Sequence, residues 1–138
     1  MKARKIRCLL TKSRMDAHDR GVMTIAAAFR DAGLEVIFTR FADVREIATV
    51  ALQEEVDIIG VSSLAGSHLS IAEQLKEALI EKGIEDMLII FGGIIPKNDV
   101  SKLHELGVYE AFGAGISFRD IINKVRSAVD AKRGLGSD

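Results

Sequence analysis

The sequence predicts an α/β fold in which helices cover both faces of a parallel β-sheet. Short apolar stretches alternate five times with amphipathic segments along the chain. The apolar stretches are too continuous for strands with one solvated face, and glycines or capping residues separate the two kinds of segment. The 138 residues fit a single domain. We expect its core between about residues 5 and 131, with a frayed tail over residues 132–138.

The five apolar stretches predict short, buried strands. Such continuous runs are typical of parallel strands that are covered on both sides. The predicted strands comprise residues 6–11, 35–39, 56–62, 87–91 and 108–112. Five βα units of this length most often have the flavodoxin-like strand order 2-1-3-4-5, with its switch point between the first and third strands. We therefore expect a doubly wound, Rossmann-like sheet with a ligand crevice at the carboxyl ends of its strands.

Local residues mark the expected helix boundaries. A loop over residues 12–20 precedes the first helix, and a short helix is predicted over residues 99–106. Three pairs match the spacing of capping boxes at helix starts: Asp43 with Glu46, Ser70 with Glu73, and Ser117 with Asp120. Three glycines are placed to end helices: Gly33, Gly83 and Gly107. The final helix should bury Ile121, Ile122, Val125 and Val129.

Composition argues against several classes of function. The formal net charge of -1 provides no strong field to attract nucleic acid or an acidic membrane. The chain has no Trp for base stacking and no apolar run long enough to span a bilayer. No apolar signal region follows the basic amino terminus. The single cysteine, Cys8, is expected to pack as a small hydrophobe. Together these features favour a cytoplasmic protein that binds neither nucleic acid nor membrane.

The loop after the first predicted strand contains a histidine in a setting that suits metal ligation. A neutral imidazole binds transition metals well, and a carboxylate on its other nitrogen fixes the tautomer and raises its basicity. Asp16 could supply that carboxylate to His18, and Lys12 could compensate its charge. One histidine does not make a zinc site, which needs three or four protein ligands. His18 therefore suits a metal that arrives with most of its coordination already filled.

Glycines and small residues in the other loops suggest a bulky ligand. Gly21, Gly92 and Gly93 remove side chains near a helix start and at the end of the fourth strand. Because glycine has no side chain, the backbone at these positions could approach a ligand closely. The hydroxyl of Ser62 and the apolar Leu64 suit a flat, partly apolar ring with one hydrogen-bonding nitrogen.

Each of these residues also has an ordinary structural interpretation. His18 could be a solvated loop residue, and Asp16 and Asp19 could be N-caps of the first helix. Ser62 could be a plain loop hydroxyl, and residues 92–93 could form only a strand-ending turn. The remaining two histidines are predicted to be structural or solvated: His68 in the loop after the third strand and His104 in a surface helix.

Taken in order, these residues resemble a known pattern. The sequences of residues 16–21, 62–64 and 92–93 are similar to the Asp-x-His-x-x-Gly, Ser-x-Leu and Gly-Gly signature of cobalamin-binding domains. The gaps between the three parts also match, and the similarity extends over residues 6–129. Finer features resemble the acyl-CoA mutases: residues 18–21, 31–37, 51–54, 61–64 and 92–96. In some members of that group the cobalamin domain is a separate small subunit of about this size.

The resemblance implies a role for each matching residue. His18 would replace dimethylbenzimidazole as the lower axial ligand of cobalt. Asp16 would hydrogen-bond the other imidazole nitrogen, with Lys12 behind it, and Ser62 would hydrogen-bond the displaced dimethylbenzimidazole. The other implied cofactor-binding residues, several of which would line the pocket for the nucleotide tail, are Asp19, Arg20, Gly21, Leu64, Gly92, Gly93, Phe112 and Gly113. The chain departs from the family pattern at Ser13, Arg14, Met15, Ala17, Ala114 and Ile116, the last of which removes a hydroxyl from the tail pocket.

The function implied by the resemblance is that of the adenosylcobalamin-binding small subunit of an acyl-CoA mutase, such as methylmalonyl-CoA, isobutyryl-CoA or 2-hydroxyisobutyryl-CoA mutase. A radical mechanism would rearrange the carbon skeleton of the substrate, with the cofactor supplying the chemistry. A chain of this length has no room for a substrate barrel as well, so we expect a hetero-oligomer with a large acyl-CoA-binding subunit.

Two other functions are compatible with this fold class. The first is that of a corrinoid carrier for methyl transfer. The second is that of a receiver-like signalling module that binds no corrinoid. A receiver would need an aspartate at the end of the third strand, where this chain has Ser62 and Ser63.

Overall fold

Five parallel strands form one sheet in the computed structural model, which describes residues 5–16, 20–63, 67–93, 95–113 and 115–134. The strands are β1 Arg7–Ser13, β2 Glu35–Phe41, β3 Ile58–Ser63, β4 Leu88–Gly93 and β5 Glu110–Phe112. The helices are α1 Arg20–Asp31, α2 Arg45–Gln53, α3 His68–Glu81, α4 Lys97–Glu105 and α5 Phe118–Arg133. The strand order is β2-β1-β3-β4-β5. The predicted flavodoxin-like α/β fold is therefore confirmed.

Two apolar cores lie on opposite faces of the sheet. Successive residues of a strand point to opposite faces, so Leu9 of β1 belongs to the core under α2, α3 and α4, whereas Leu10 belongs to the core under α1 and α5. Cys8 is fully buried in the second core, as predicted. Its burial, with a smaller contribution from the Asp57 carboxylate, raises the pKa of the thiol to about 12. The cysteine therefore packs as an inert apolar residue.

Some of the predicted helix boundaries are confirmed. The Ser117 hydroxyl accepts a hydrogen bond from the backbone N–H of Asp120 at 3.1 Å, so it caps α5. Gly33, Gly83 and Gly107 follow α1, α3 and α4 with φ values of +92°, +75° and +94°. The four predicted core residues of α5 are buried. No helix in the described ranges combines the length and apolar character needed to cross a membrane.

Two predicted capping boxes are wrong. α3 begins at His68, so Ser70 lies inside the helix rather than at its N-cap. The first turn forms early because the buried His68 ring is held by a side chain of α4, a contact that local sequence does not reveal. Before α2, the Asp43 carboxylate accepts from Arg45 N–H instead of Glu46 N–H. The Glu46 carboxylate accepts from Ala42 N–H, so a displaced pair replaces the expected box.

Several predicted element boundaries shift by a few residues. β1 continues to Ser13, which places Lys12 in the strand instead of in the loop. β4 includes both Gly92 and Gly93, β5 is shorter than predicted, and α4 begins at Lys97. α5 extends two residues beyond the predicted end of the core at 131, because Arg133 Nη2 donates to the Asp57 carboxylate at 2.8 Å.

Candidate functional site at the carboxyl edge of the sheet

Four candidate site residues lie in one row across the carboxyl edge of the sheet. Lys12 of β1 is in register with Ser62 of β3, Ser62 with Gly92 of β4, and Gly92 with Phe112 of β5. Side chains in register on neighbouring parallel strands point to the same face. Leu10, two residues before Lys12, belongs to the core under α1 and α5, so the row faces that side. The topology thus brings together residues from four distant parts of the sequence.

An apolar cavity of about 290 Å³ opens beside this row, between the strand ends and helices α1 and α5. Its walls include the rings of Phe112 and Phe118 and the side chain of Ile116. Among the described lining residues, Ser62 alone has a polar side chain. Small-molecule pockets usually measure roughly 300–1,000 Å³. This cavity therefore suits a flat, ring-sized portion of a ligand with a single hydrogen-bonding group.

Glycines leave part of the cavity wall without side chains. Gly21, Gly92 and Gly113 all line the cavity. A Cβ atom at Gly21 or Gly113 would meet no heavy atom within 4 Å, and one at Gly92 would lie 4.0 Å from the Phe112 carbonyl oxygen. The space at these positions is open to a ligand.

Gly93 also lines the cavity but has a different physical role. Its φ is +127°, and a Cβ atom there would collide with the carbonyl oxygen of Ser63 on β3. The sequence pattern predicts Gly93 beside a ligand, whereas the contact with Ser63 means that the sheet itself requires a glycine here. Gly60 of β3 also lines the cavity, although it is not among the site residues predicted from the sequence. A Cβ atom at Gly60 would lie 2.6 Å from Leu10 Cδ2. A glycine inside an apolar strand is the sequence signal that indicates such a close approach.

A buried ion pair between Lys12 and Asp16 lies at the end of β1, where the following loop begins. Lys12 is fully buried, and its Nζ lies 3.5 Å from Oδ1 of Asp16, whose side chain is 11% exposed. Such a pair offsets the cost of taking an ammonium group out of water. The backbone turns here, since Asp16 N–H donates to the Ser13 carbonyl and Arg14 N–H donates to the Phe41 carbonyl. The structure thus brings Lys12 and Asp16 together, as the resemblance implied.

Four candidate site residues are neither among the described cavity-lining residues nor in the ion pair. Three of them lie outside the described residues: His18, Asp19 and Leu64. Arg20 is the exposed first residue of α1 and is not among the cavity-lining residues. Within the described ranges, no cluster of three or more His, Cys, Asp or Glu side chains is arranged to hold a metal ion.

The two described histidines lie away from the cavity lining. His68 is buried, and its Nε2 lies 2.6 Å from Oδ2 of Asp99 in α4. His104 is partly exposed, and its Nδ1 donates to the Val108 carbonyl at 3.0 Å. Both are held by protein groups, in agreement with the structural role predicted for them.

Comparison with known families identifies the kind of domain. A family model described as "B12 binding domain" matches residues 6–121, which include the cavity and every candidate site residue. The chain belongs to the B12-binding domain family. As a B12-binding domain, it is distinguished from the receiver-like modules that share its fold.

Two relatives of this B12-binding domain differ greatly in length. The 2-hydroxyisobutanoyl-CoA mutase small subunit of Aquincola tertiaricarbonis is 39% identical over 128 residues, which cover 92% of this chain and 94% of that protein. The methylmalonyl-CoA mutase of Rhizobium meliloti is 42% identical over 130 residues, which cover 94% of this chain. The chain spans only 18% of that methylmalonyl-CoA mutase.

Among solved structures, a cobalamin-binding protein from Desulfitobacterium hafniense DCB-2 has a similar fold. The TM-score is 0.74 at 20% sequence identity, and the match covers 89% of this chain and 58% of that chain. At this level of identity the likeness concerns the fold, and it agrees with the flavodoxin-like topology of the B12-binding domain.

Proposed function

We propose that this B12-binding chain is the adenosylcobalamin-binding small subunit of a radical acyl-CoA mutase. The enzyme is an isomerase that acts only when a large subunit supplies the acyl-CoA site. The observation that carries this proposal is the nearly end-to-end match to a mutase small subunit, at 39% identity over 94% of that protein. The match to a B12-binding segment within a longer methylmalonyl-CoA mutase supports the same assignment.

The cavity at the sheet edge fits the nucleotide tail of a cobalamin. Dimethylbenzimidazole is flat and apolar, and it has a ring nitrogen that accepts a hydrogen bond. The cavity has aromatic and aliphatic walls, and glycines leave its rim open. Ser62, the lone polar side chain among the described lining residues, has the hydroxyl that would donate to that nitrogen. We assign the tail to this cavity, and we propose Leu64 as a further tail-binding residue on the grounds of its place in the motif.

We propose His18 as the lower axial ligand of cobalt, in place of dimethylbenzimidazole. A ligating histidine commonly donates its other ring N–H to a carboxylate, which fixes the ring and raises its basicity. Asp16 lies two residues before His18, and its carboxylate is held against the fully buried Lys12 ammonium. The ion pair would hold the Asp16 carboxylate in place as the hydrogen-bond acceptor. Asp19 and Arg20 complete the proposed cofactor-binding set around this loop.

When bound, adenosylcobalamin supplies the radical that starts the carbon-skeleton rearrangement. This chain has no proposed catalytic residue of its own. Its side chains hold the tail, orient the corrin through His18 and exclude water from the cavity. The acyl-CoA substrate is assigned to the large subunit, so the working enzyme is a hetero-oligomer. We place it in the cytoplasm, where a single reduced thiol such as that of Cys8 is usual.

Co-purification tests the proposed assembly. The tagged chain, isolated from its native host, should bring down a large subunit with a coenzyme-A-binding barrel. Adding adenosylcobalamin should then allow the pair to isomerise an acyl-CoA, whereas each subunit alone should be inactive. Recovery of a methyltransferase in place of the large subunit would support the corrinoid carrier and contradict the mutase.

A spectrum tests the axial-ligand proposal separately. The purified chain loaded with hydroxocobalamin should show an absorption spectrum that changes in the His18→Ala variant, because the lower ligand is lost. The His104→Ala variant is the control, since that ring bonds the Val108 carbonyl beyond the end of α4 and lies away from the cavity. Equal retention of cobalamin with an unchanged spectrum in His18→Ala would show that His18 is not the ligand.

A further inference from the structure

A buried hydrogen bond joins the first turns of α3 and α4. His68 is only 2% exposed, and its Nε2 lies 2.6 Å from Oδ2 of Asp99, whose side chain is 19% exposed. Because a carboxylate can only accept, Nε2 is the protonated nitrogen and donates the bond. Nδ1 of His68 is buried and has no hydrogen-bond partner in the described part of the chain. The ring therefore makes one directional hydrogen bond, through Nε2. Its buried Nδ1 makes none, a cost that an apolar side chain in the same place would avoid.

The bond joins the two helices that follow the strands β3 and β4, whose ends line the cavity. β3 ends at Ser63 and leads into α3, whereas β4 ends at Gly93 and leads into α4. Ser63 and Gly93 are in register, as are Ser62 and Gly92 just before them. The latter pair lines the proposed tail cavity on the other face of the sheet. A change in the separation of the two helix starts would therefore act on the strand ends that line the cavity.

The strength and direction of the His68–Asp99 hydrogen bond suit it to fixing the distance between α3 and α4. A short bond between a buried ring and a carboxylate is stronger than a neutral one, and losing it leaves a buried polar group unsatisfied. An apolar side chain of similar size would fill the space beside α3 equally well but would not fix α4. Ser63 Oγ and Ser67 Oγ lie 3.1 Å apart, so a second hydrogen bond links the end of β3 to the residue before α3.

We propose that His68 and Asp99 are positioning residues for the cofactor site. They hold the first turns of α3 and α4 at the separation in which Ser62 and Gly92 contact the tail of the cobalamin. This inference rests on the proposed function, since it concerns the same cavity. It predicts that the pair controls how long cobalamin stays bound, although neither residue lines the cavity.

The test compares substitutions that separate packing from the directional bond. Full-length chains are loaded with hydroxocobalamin, and its release is followed by absorbance in the presence of an excess of an unlabelled cobalamin-binding competitor protein. His68→Leu fills the space without bonding Asp99, and release should be about tenfold faster than in the parent chain. His68→Gln keeps an N–H donor and should restore most of the retention. The His104→Ala variant is the control and should release cobalamin at the parent rate.

Asp99→Ala removes the acceptor from a partly exposed site and leaves the apolar core intact, so it provides a second variant that should fold. It should release cobalamin as fast as His68→Leu. Glu46→Ala, which removes another acidic residue from a helix first turn, should have no effect. Parent-like release from both His68→Leu and Asp99→Ala overturns the positioning role while leaving the proposed function in place. A parent chain that retains no cobalamin overturns the proposed function itself.

Discussion

Replacing Gly93 by alanine should lower the free energy of unfolding by about 3 kcal/mol or more. The φ of +127° is a conformation that residues with a Cβ atom rarely adopt, at a cost of roughly 1–3 kcal/mol. The new Cβ would also collide with the Ser63 carbonyl oxygen and lie 3.2 Å from the Ser63 carbonyl carbon. Relief needs a shift of roughly 1 Å where β3 and β4 are in register, and we assign this about 2 kcal/mol or more, as for an overpacked core site.

Gly83→Ala is the matched control. Gly83 also has a positive φ, of +75°, but a Cβ atom there would meet nothing within 4 Å. Its substitution should cost only about 1–2 kcal/mol, the penalty of the left-handed conformation alone. Urea unfolding followed by circular dichroism measures both variants. With a slope of roughly 1–3 kcal/mol per molar urea, Gly93→Ala should lower the midpoint by at least about 1 M. If the two variants were equally stable, the collision with Ser63 would be refuted.

Three further predictions concern the buried charge, the thiol and the open cavity wall. Lys12→Met should destabilise the chain by about 2–4 kcal/mol, because Asp16 loses its cation, and adding Asp16→Asn should recover part of this in urea titrations. Cys8 should resist a thiol reagent until the chain unfolds. Because its pKa rises from 9.0 to about 12, the unfolded chain releases the proton first, so stability should fall as pH rises above about 9. Cys8→Ala should lack that slope; an identical slope would assign it to another group. Gly21→Leu should keep or slightly raise stability, since leucine favours α1, yet weaken cobalamin retention by filling open space.

The parts of the fold that depend on local chemistry could be predicted from the sequence. The cap formed by Ser117 and Asp120 needs only residues three apart, and glycines such as Gly33 mark helix ends through their own backbone preference. The strand order followed from the alternation of βα units, because few topologies satisfy the handedness of parallel connections. These elements required no knowledge of which distant residues meet.

The remainder depended on contacts between distant residues. A lysine rarely occupies a buried strand, so the local sequence does not indicate that Lys12 lies within β1, where its ammonium pairs with Asp16. The start of α3 was misplaced at Ser70 because the helix is held at His68 by Asp99, from the next βα unit. For the site, Ser62 and several of the glycines in the motif pattern line the cavity. The pattern did not reveal that Gly93 serves the sheet, since that requires the position of a neighbouring carbonyl.

Retention of cobalamin by the isolated chain tests the central claim most directly. The purified protein is mixed with hydroxocobalamin, desalted, and its absorption spectrum and cobalt content are measured. The account predicts a coloured protein that keeps about one cobalamin per chain, because a B12-binding domain with an open, apolar tail cavity should hold the ligand through desalting. A colourless protein without cobalt after the same treatment would contradict it.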